Sequence, residues 1–175
     1  MAEKHVSRRE FVKRAGLGAA ALGAAGLSAG QKSDREFYGK MKAEEVVQLL
    51  NADITGEIDA ILTYMRNAFV AKDILTIHEM EEIGKDEMRH VEWLAELVTE
   101  FGGIPTMVHH ELSFGGKTEV DFLKRAIELE KGAIKQYTDH IKRIDHREVV
   151  EVLEVILWEE KKHLAEFEEI LEDMS

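Results

Sequence analysis

Apolar residues recur at spacings of three, four and seven over four long stretches of this 175-residue chain, the signature of amphipathic helices. The first, α1, is expected over about 43–71, with Leu50, Ile54, Ile61, Tyr64 and Ala68 on one face. The second, α2, is expected over about 74–101 and carries Met80, Ile83, Val91, Leu94 and Val98. For α3, over about 120–143, the stripe is Leu123, Ile127, Ile134, Tyr137 and Ile141; for α4, over about 146–173, it is Leu153, Ile156, Leu164, Phe167 and Leu171. Each helix is roughly 40 Å long at about 1.5 Å per residue. Gly102-Gly103-Ile104-Pro105 ends α2 firmly, and the segment from there to Gly116 is long enough to cross the length of a bundle. Asp145 with Glu148 three residues later predicts a capping box at the start of α4. The α1–α2 joint near Lys72-Asp73 has no Gly or Pro to mark it. Short joints within each pair and a long one between them predict an all-α four-helix bundle: two antiparallel hairpins joined by a crossover.

Composition agrees. The chain has one proline and 33% charged residues, which favours helices and offers little to strands. No cysteine is present, so disulfides, thiolate metal sites and a cysteine nucleophile are excluded. Net charge is −12. The first 29 residues are basic, with Lys4, Arg8, Arg9, Lys13 and Arg14 against Glu3 and Glu10, so the remainder is more acidic still. A domain this acidic repels phosphate backbones, and nucleic acid is not an expected partner.

The N-terminus reads Ser7-Arg8-Arg9-Glu10-Phe11-Val12-Lys13, followed by an Ala, Gly and Leu stretch from Ala15 to Ala29. This resembles a twin-arginine export signal. The stretch is short and mild for a membrane span. Residues 1–30 are therefore expected to be an export leader, 31–40 a polar linker and 41–175 the bundle, with a periplasmic destination. Gly23 with Ala25, and Gly26 with Ser28, are candidate cleavage pairs, but neither is a clean Ala-x-Ala, so an uncleaved anchor stays open. The resemblance implies export of an already folded protein, with its metal chosen before export.

Within the bundle one pattern occurs twice at an offset of 73 residues. Glu57, Tyr64, Glu87 and His90 form the first copy; Glu130, Tyr137, Glu160 and His163 form the second. Glu57 interrupts the α1 stripe between Ile54 and Ile61, and Glu130 that of α3 between Ile127 and Ile134. Glu87 with His90, and Glu160 with His163, stand one turn apart on the inner faces of α2 and α4. Four inward carboxylates repel one another, and each costs several kcal/mol to bury unpaired. Two divalent cations cancel them, and two neutral imidazoles complete a ligand set. Oxygen and nitrogen donors without sulfur suit iron or manganese, with zinc a further occupant. Glu82, Glu159 and Glu169 are expected to face water by default; Asp86 and Glu159 are weighed as groups that orient histidines on neighbouring helices.

Around Glu87-Met88-Arg89-His90, Ile127-Glu128-Leu129-Glu130-Lys131-Gly132-Ala133 and Glu159-Glu160-Lys161-Lys162-His163, the chain resembles the ferritin-like superfamily, nearest to bacterioferritins, over about 41–173. The resemblance implies a di-iron four-helix bundle. Glu57, Glu87 and His90 are then expected to hold one metal and Glu130, Glu160 and His163 the other, with Glu87 and Glu160 bridging. Tyr64 and Tyr137 are expected to hydrogen-bond a ligand or pass an electron. The implied activity is ferroxidase chemistry, with Fe(II) and dioxygen or hydrogen peroxide as partners; iron storage with little turnover, or peroxide reduction by an unknown electron donor, are the alternatives. A methionine at the place of Met88 ligates a haem b between two bacterioferritin subunits. Here packing of Met88 in a dimer interface without haem is preferred. Because the sequence stops at Ser175 with no fifth helix, a homodimer or small homo-oligomer is expected rather than a storage cage.

Overall fold

The computed structural model describes residues 40–174; the leader and nearly all of the linker lie outside these residues. Four helices follow in order: α1 Ala43–Val70, α2 Ile74–Glu100, α3 Glu119–Arg143 and α4 Arg147–Asp173. They form the expected all-α bundle. α1 packs on α2 and α3, and α4 packs on α3 and α2, so every neighbouring pair runs antiparallel. Among the described residues no helix is long and apolar enough to cross a membrane.

The starts of α2 and α3 carry side-chain caps. The unmarked α1–α2 joint is closed by Asp73, whose carboxylate accepts from the Thr76 backbone N–H at 2.7 Å and the Thr76 hydroxyl at 2.9 Å. Asp73→Ala is expected to cost about 1 kcal/mol, read as a lower midpoint in urea unfolding. Thr118 and Asp121 form a capping box at the start of α3. Gly102 adopts φ 77°, and Gly103 N–H donates to the Val98 carbonyl at 2.9 Å, a left-handed stop for α2. The capping box expected at α4 does not form. The N-cap there is His146, without a side-chain cap bond. Asp145 instead accepts from the backbone N–H groups of Lys40 and Met41 at 2.5 and 3.1 Å, tying the start of α1 to the α3–α4 joint. Two donors in a neighbouring strand of chain out-compete one donor of its own helix.

The crossover runs beside α1 and is fastened to it at three positions eight residues apart. Asn51 bonds the Ile104 carbonyl and the Thr106 N–H at 3.1 and 2.9 Å. Asp59 accepts the His110 N–H at 2.9 Å. Asn67 donates to the Phe114 carbonyl at 3.3 Å. Eight helical residues rise about 12 Å, close to what four extended residues span at about 3.3 Å each, so the two registers match.

The apolar interior has two parts. One, around Leu50, Ile54, Trp93, Leu97, Leu153 and Ile156, fills the end where α1 begins. The other, around Met80, Ile83, Phe122, Leu123 and Phe167, fills the opposite end. Tyr137 belongs to the first and Tyr64 to the second. Between them lies a polar layer.

Candidate metal centre

The polar layer is formed where the inner stripes switch from apolar to ionisable residues. Glu57, Glu87, His90, Glu130, Glu160 and His163 are each at most 3% exposed. Their nitrogen and oxygen atoms form two overlapping groups: Glu57, Glu87, His90 and Glu160, and Glu87, Glu130, Glu160 and His163. In each group one such atom per residue lies within 4.8 Å of all the others. Glu87 and Glu160 are common to both. His90 Nδ1 is 2.7 Å from Glu87 Oε2 and 3.0 Å from Glu160 Oε1. His163 Nδ1 is 3.3 Å from Glu87 Oε1 and 3.9 Å from Glu130 Oε2. Glu87 Oε1, Glu130 Oε2, Glu160 Oε1 and His163 Nδ1 are buried without a hydrogen-bond partner. Each such atom costs about 1–3 kcal/mol. Their convergence, with a donor set of four carboxylates and two imidazoles, fits a pair of divalent cations.

The histidines are aimed by their second nitrogens. His90 Nε2 lies 2.9 Å from Glu159 Oε2 and His163 Nε2 3.4 Å from Asp86 Oδ2. A carboxylate on Nε2–H leaves Nδ1 as the free ligand atom. Glu159 is thus buried, at 7% exposure, and does not face water. Arg89, whose place in the helical pattern does not mark it out, binds both carboxylates, at 2.6 Å to Asp86 and 3.0 Å to Glu159. It lies across the α2–α4 face of the centre, partly exposed.

Electrostatics make the layer a reservoir of protons. Burial, and after it the nearest fellow carboxylate, raises Glu87, Glu130 and Glu160 above the usual range. Burial opposes charge on His163, yet Asp86 and Glu87 outweigh it and lift the imidazole to about 10. His90 is likewise held well above its usual value, against burial, chiefly by Glu87 and Glu159. Asp86 sits at about 2, since His163 and Arg89 overcome its burial. These carboxylates favour the protonated form of both imidazoles, and a cation binding there displaces the protons. Zn(II) binding to metal-free protein at pH 7 is expected to release about two protons per chain or more, measured with a pH indicator in weak buffer. Affinity should climb as pH rises through neutrality; equal affinity at about pH 6 and pH 8 would contradict this proton competition.

The tyrosines cross-tie the layer. Tyr64 of α1 donates its hydroxyl to Glu130 of α3, and Tyr137 of α3 donates to Glu57 of α1. Burial and the adjoining carboxylates push both phenols well above their ordinary range, so both remain donors. Met88 is not part of the layer; it lies on the outer side of α2, 49% exposed.

Two further polar clusters lie outside the repeat. Asp53 accepts from Gln136 Nε2 at 2.8 Å, and its carboxylate lies 2.8 Å from His140 Nδ1, all between α1 and α3. Its signal was a carboxylate one turn before Glu57 on the same inner stripe. Asp59 and His110 form the other, with Asp59 Oδ2 2.6 Å from His110 Nδ1; nothing in the local pattern of the crossover announces it. A cavity of about 210 Å³ opens here between α1 and α3, reaching from Asp59 and His110 to Glu57, Glu130 and Glu160.

Fold and centre together define a four-helix bundle built around a carboxylate–histidine cluster of the kind that holds two metals. The ferritin-like domain model matches residues 47–175, and the chain belongs to the ferritin-like domain family. It is 28% identical to the bacterioferritin of Desulfovibrio desulfuricans, over 81% of this chain and 79% of that protein. It is 30% identical to a 3-demethoxyubiquinol 3-hydroxylase of Francisella philomiragia, over 78% of this chain and 67% of that one. A solved ferritin-like di-iron-carboxylate protein from Bacillus anthracis superposes with a TM-score of 0.68 at 27% identity, over 74% of this chain and 96% of that chain.

Proposed function

We propose that this protein is a ferroxidase, holding two iron ions between its four helices and oxidising Fe(II) with dioxygen or hydrogen peroxide. The observation that carries it is the pair of overlapping four-residue groups sharing Glu87 and Glu160. Glu57, Glu87 and His90 would hold one iron, Glu130, Glu160 and His163 the other, with Glu87 and Glu160 spanning both. Bound iron would supply the one-electron redox chemistry that no side chain here provides. Two Fe(II) would give up one electron each; dioxygen would take the two electrons with two protons and leave as hydrogen peroxide, and peroxide would take two electrons with two protons and leave as two waters. The chain's own contribution is to fix the imidazoles through Asp86 and Glu159, hold Glu57 and Glu130 through Tyr137 and Tyr64, and exclude bulk water with the two apolar clusters. Anaerobic Fe(II) titration followed by oxygen or peroxide, monitored by absorbance, tests the proposal. A break at two irons per chain and repeated turnover are expected. Uptake that stops after one round favours a storage subunit, and uptake with no break removes the centre.

The repeat itself favours a homodimer through the outer face of the α1–α2 hairpin. That face offers Ile58, Leu62, Met65 and Met88, whereas the positions 73 residues on are Lys131, Lys135, Thr138 and Lys161. One hairpin is thus apolar outside and the other charged. A haem b held by Met88 between two such subunits would show a sharp visible absorption; Met88 packed without haem would not. Export to the periplasm by residues 1–30, with or without cleavage of the leader, is part of the same proposal.

A further inference from the structure

The 73-residue repeat reaches past the six ligands. Asp86 and Glu159 are counterparts at that offset, and each supports an imidazole of the opposite helix. Glu159 of α4 faces His90 of α2, and Asp86 of α2 faces His163 of α4. The cation beside them breaks the symmetry. The counterpart of Arg89 is Lys162, which is half exposed and bonds Glu166 of its own helix at 2.7 Å. Arg89 instead reaches both supports, with Nη1 2.6 Å from Asp86 Oδ1 and Nη2 3.0 Å from Glu159 Oε1. One guanidinium therefore serves two halves of the centre.

This uses what arginine has and lysine lacks: two arms fixed in one plane. Each carboxylate meets Arg89 with one oxygen and keeps the other for a histidine, Oδ2 of Asp86 for His163 and Oε2 of Glu159 for His90. The guanidinium also lies over the Trp93 ring, 5.3 Å from its centroid, and that ring is 6.0 Å from the His90 ring. Trp93 is 2% exposed, so a rigid apolar surface backs the cation. A continuous line of contacts thus runs from His90 through Glu159, Arg89 and Asp86 to His163. The two rings at its ends stack with centroids 5.9 Å apart.

We infer that Arg89 is a positioning residue for both metal positions at once, acting through Glu159 on His90 and through Asp86 on His163. This rests on the proposed metal centre and adds the residue on which both of its histidine supports converge. Co(II) binding to metal-free protein, followed by visible absorbance and by competition with a chelator, tests it. Wild type is expected to take two Co(II) per chain. Asp86→Asn and Glu159→Gln should each weaken one Co(II) by about tenfold to a hundredfold and leave the other tight. Arg89→Met removes no ligand and no support, yet should weaken both by a similar factor and shift the visible bands of both. In that background Asp86→Asn should add less than about threefold, because the two changes act on one line of contacts. Arg89→Lys, which returns the charge without the second arm, should recover one of the two Co(II). Circular dichroism of each metal-free variant checks the fold. Two tight Co(II) in Arg89→Met, or loss of one alone, would overturn the shared support with the centre intact. Recovery of neither by a folded Arg89→Lys would assign the loss to packing on Trp93 and overturn it as well. Failure of wild-type protein to bind Co(II) would remove the centre itself.

Discussion

Replacing Glu87 and Glu160 together by glutamine is expected to take bound iron from two per chain to none at micromolar metal and to lower Fe(II) oxidation by at least about a hundredfold. These two residues are the members common to both four-residue groups, so one variant removes a ligand from each metal. Glutamine preserves the volume but removes two of the four negative charges that two divalent cations are needed to cancel. His90 keeps Glu159 as a partner and His163 keeps Asp86, so the helices should stay packed and circular dichroism should show wild-type helical content. Glu130 then lacks the neighbouring carboxylates that now raise its affinity for a proton. Wild-type iron stoichiometry in the double variant would contradict the assignment of Glu87 and Glu160, whatever its rate of oxidation.

The second large effect is on stability. Two cations bound at about a thousand times their dissociation constants contribute about 4 kcal/mol each, so about 8 kcal/mol together. For a domain of this size that corresponds to a rise in Tm of roughly 20 °C. The gain has a local cause: metal-free protein must bury four unpartnered polar atoms and several repelling carboxylates, and cations satisfy them at once. Thermal melts with Zn(II) and with a chelator measure the difference. Superimposed melts would show that the layer is stable on its own protons and has no use for metal. The Glu87→Gln, Glu160→Gln variant should lose the shift.

Much of this was legible in the chain. Four helices, their stripes and the inward direction of Glu57, Glu87, His90, Glu130, Glu160 and His163 follow from spacing, because a helix of period 3.6 fixes which residues share a face. Asp53 is legible on the same ground but stands outside the repeat, since the residue 73 positions on is Ala126. Glu159 was harder. Beside Glu160 on a Glu-rich helix it reads as solvated, and only the approach of His90 and Arg89 from α2 makes it a buried partner.

Asp145, Asp59 and His110 show the limit. The capping box at Asp145 was a local pattern with a local meaning, and it lost to backbone N–H groups at Lys40 and Met41, over a hundred residues away in sequence. The grip of Asp59 on His110 joins residues 51 positions apart through an extended segment with no periodicity. The sequence by itself determined the helices, their inner faces and the ligand types, since these depend on repeat spacing within single elements. Which groups reach the centre from the neighbouring helices, and which hold the crossover against α1, was decided only by tertiary structure. Those outcomes depend on interhelical distance and on the register of the crossover, which no period within one helix encodes.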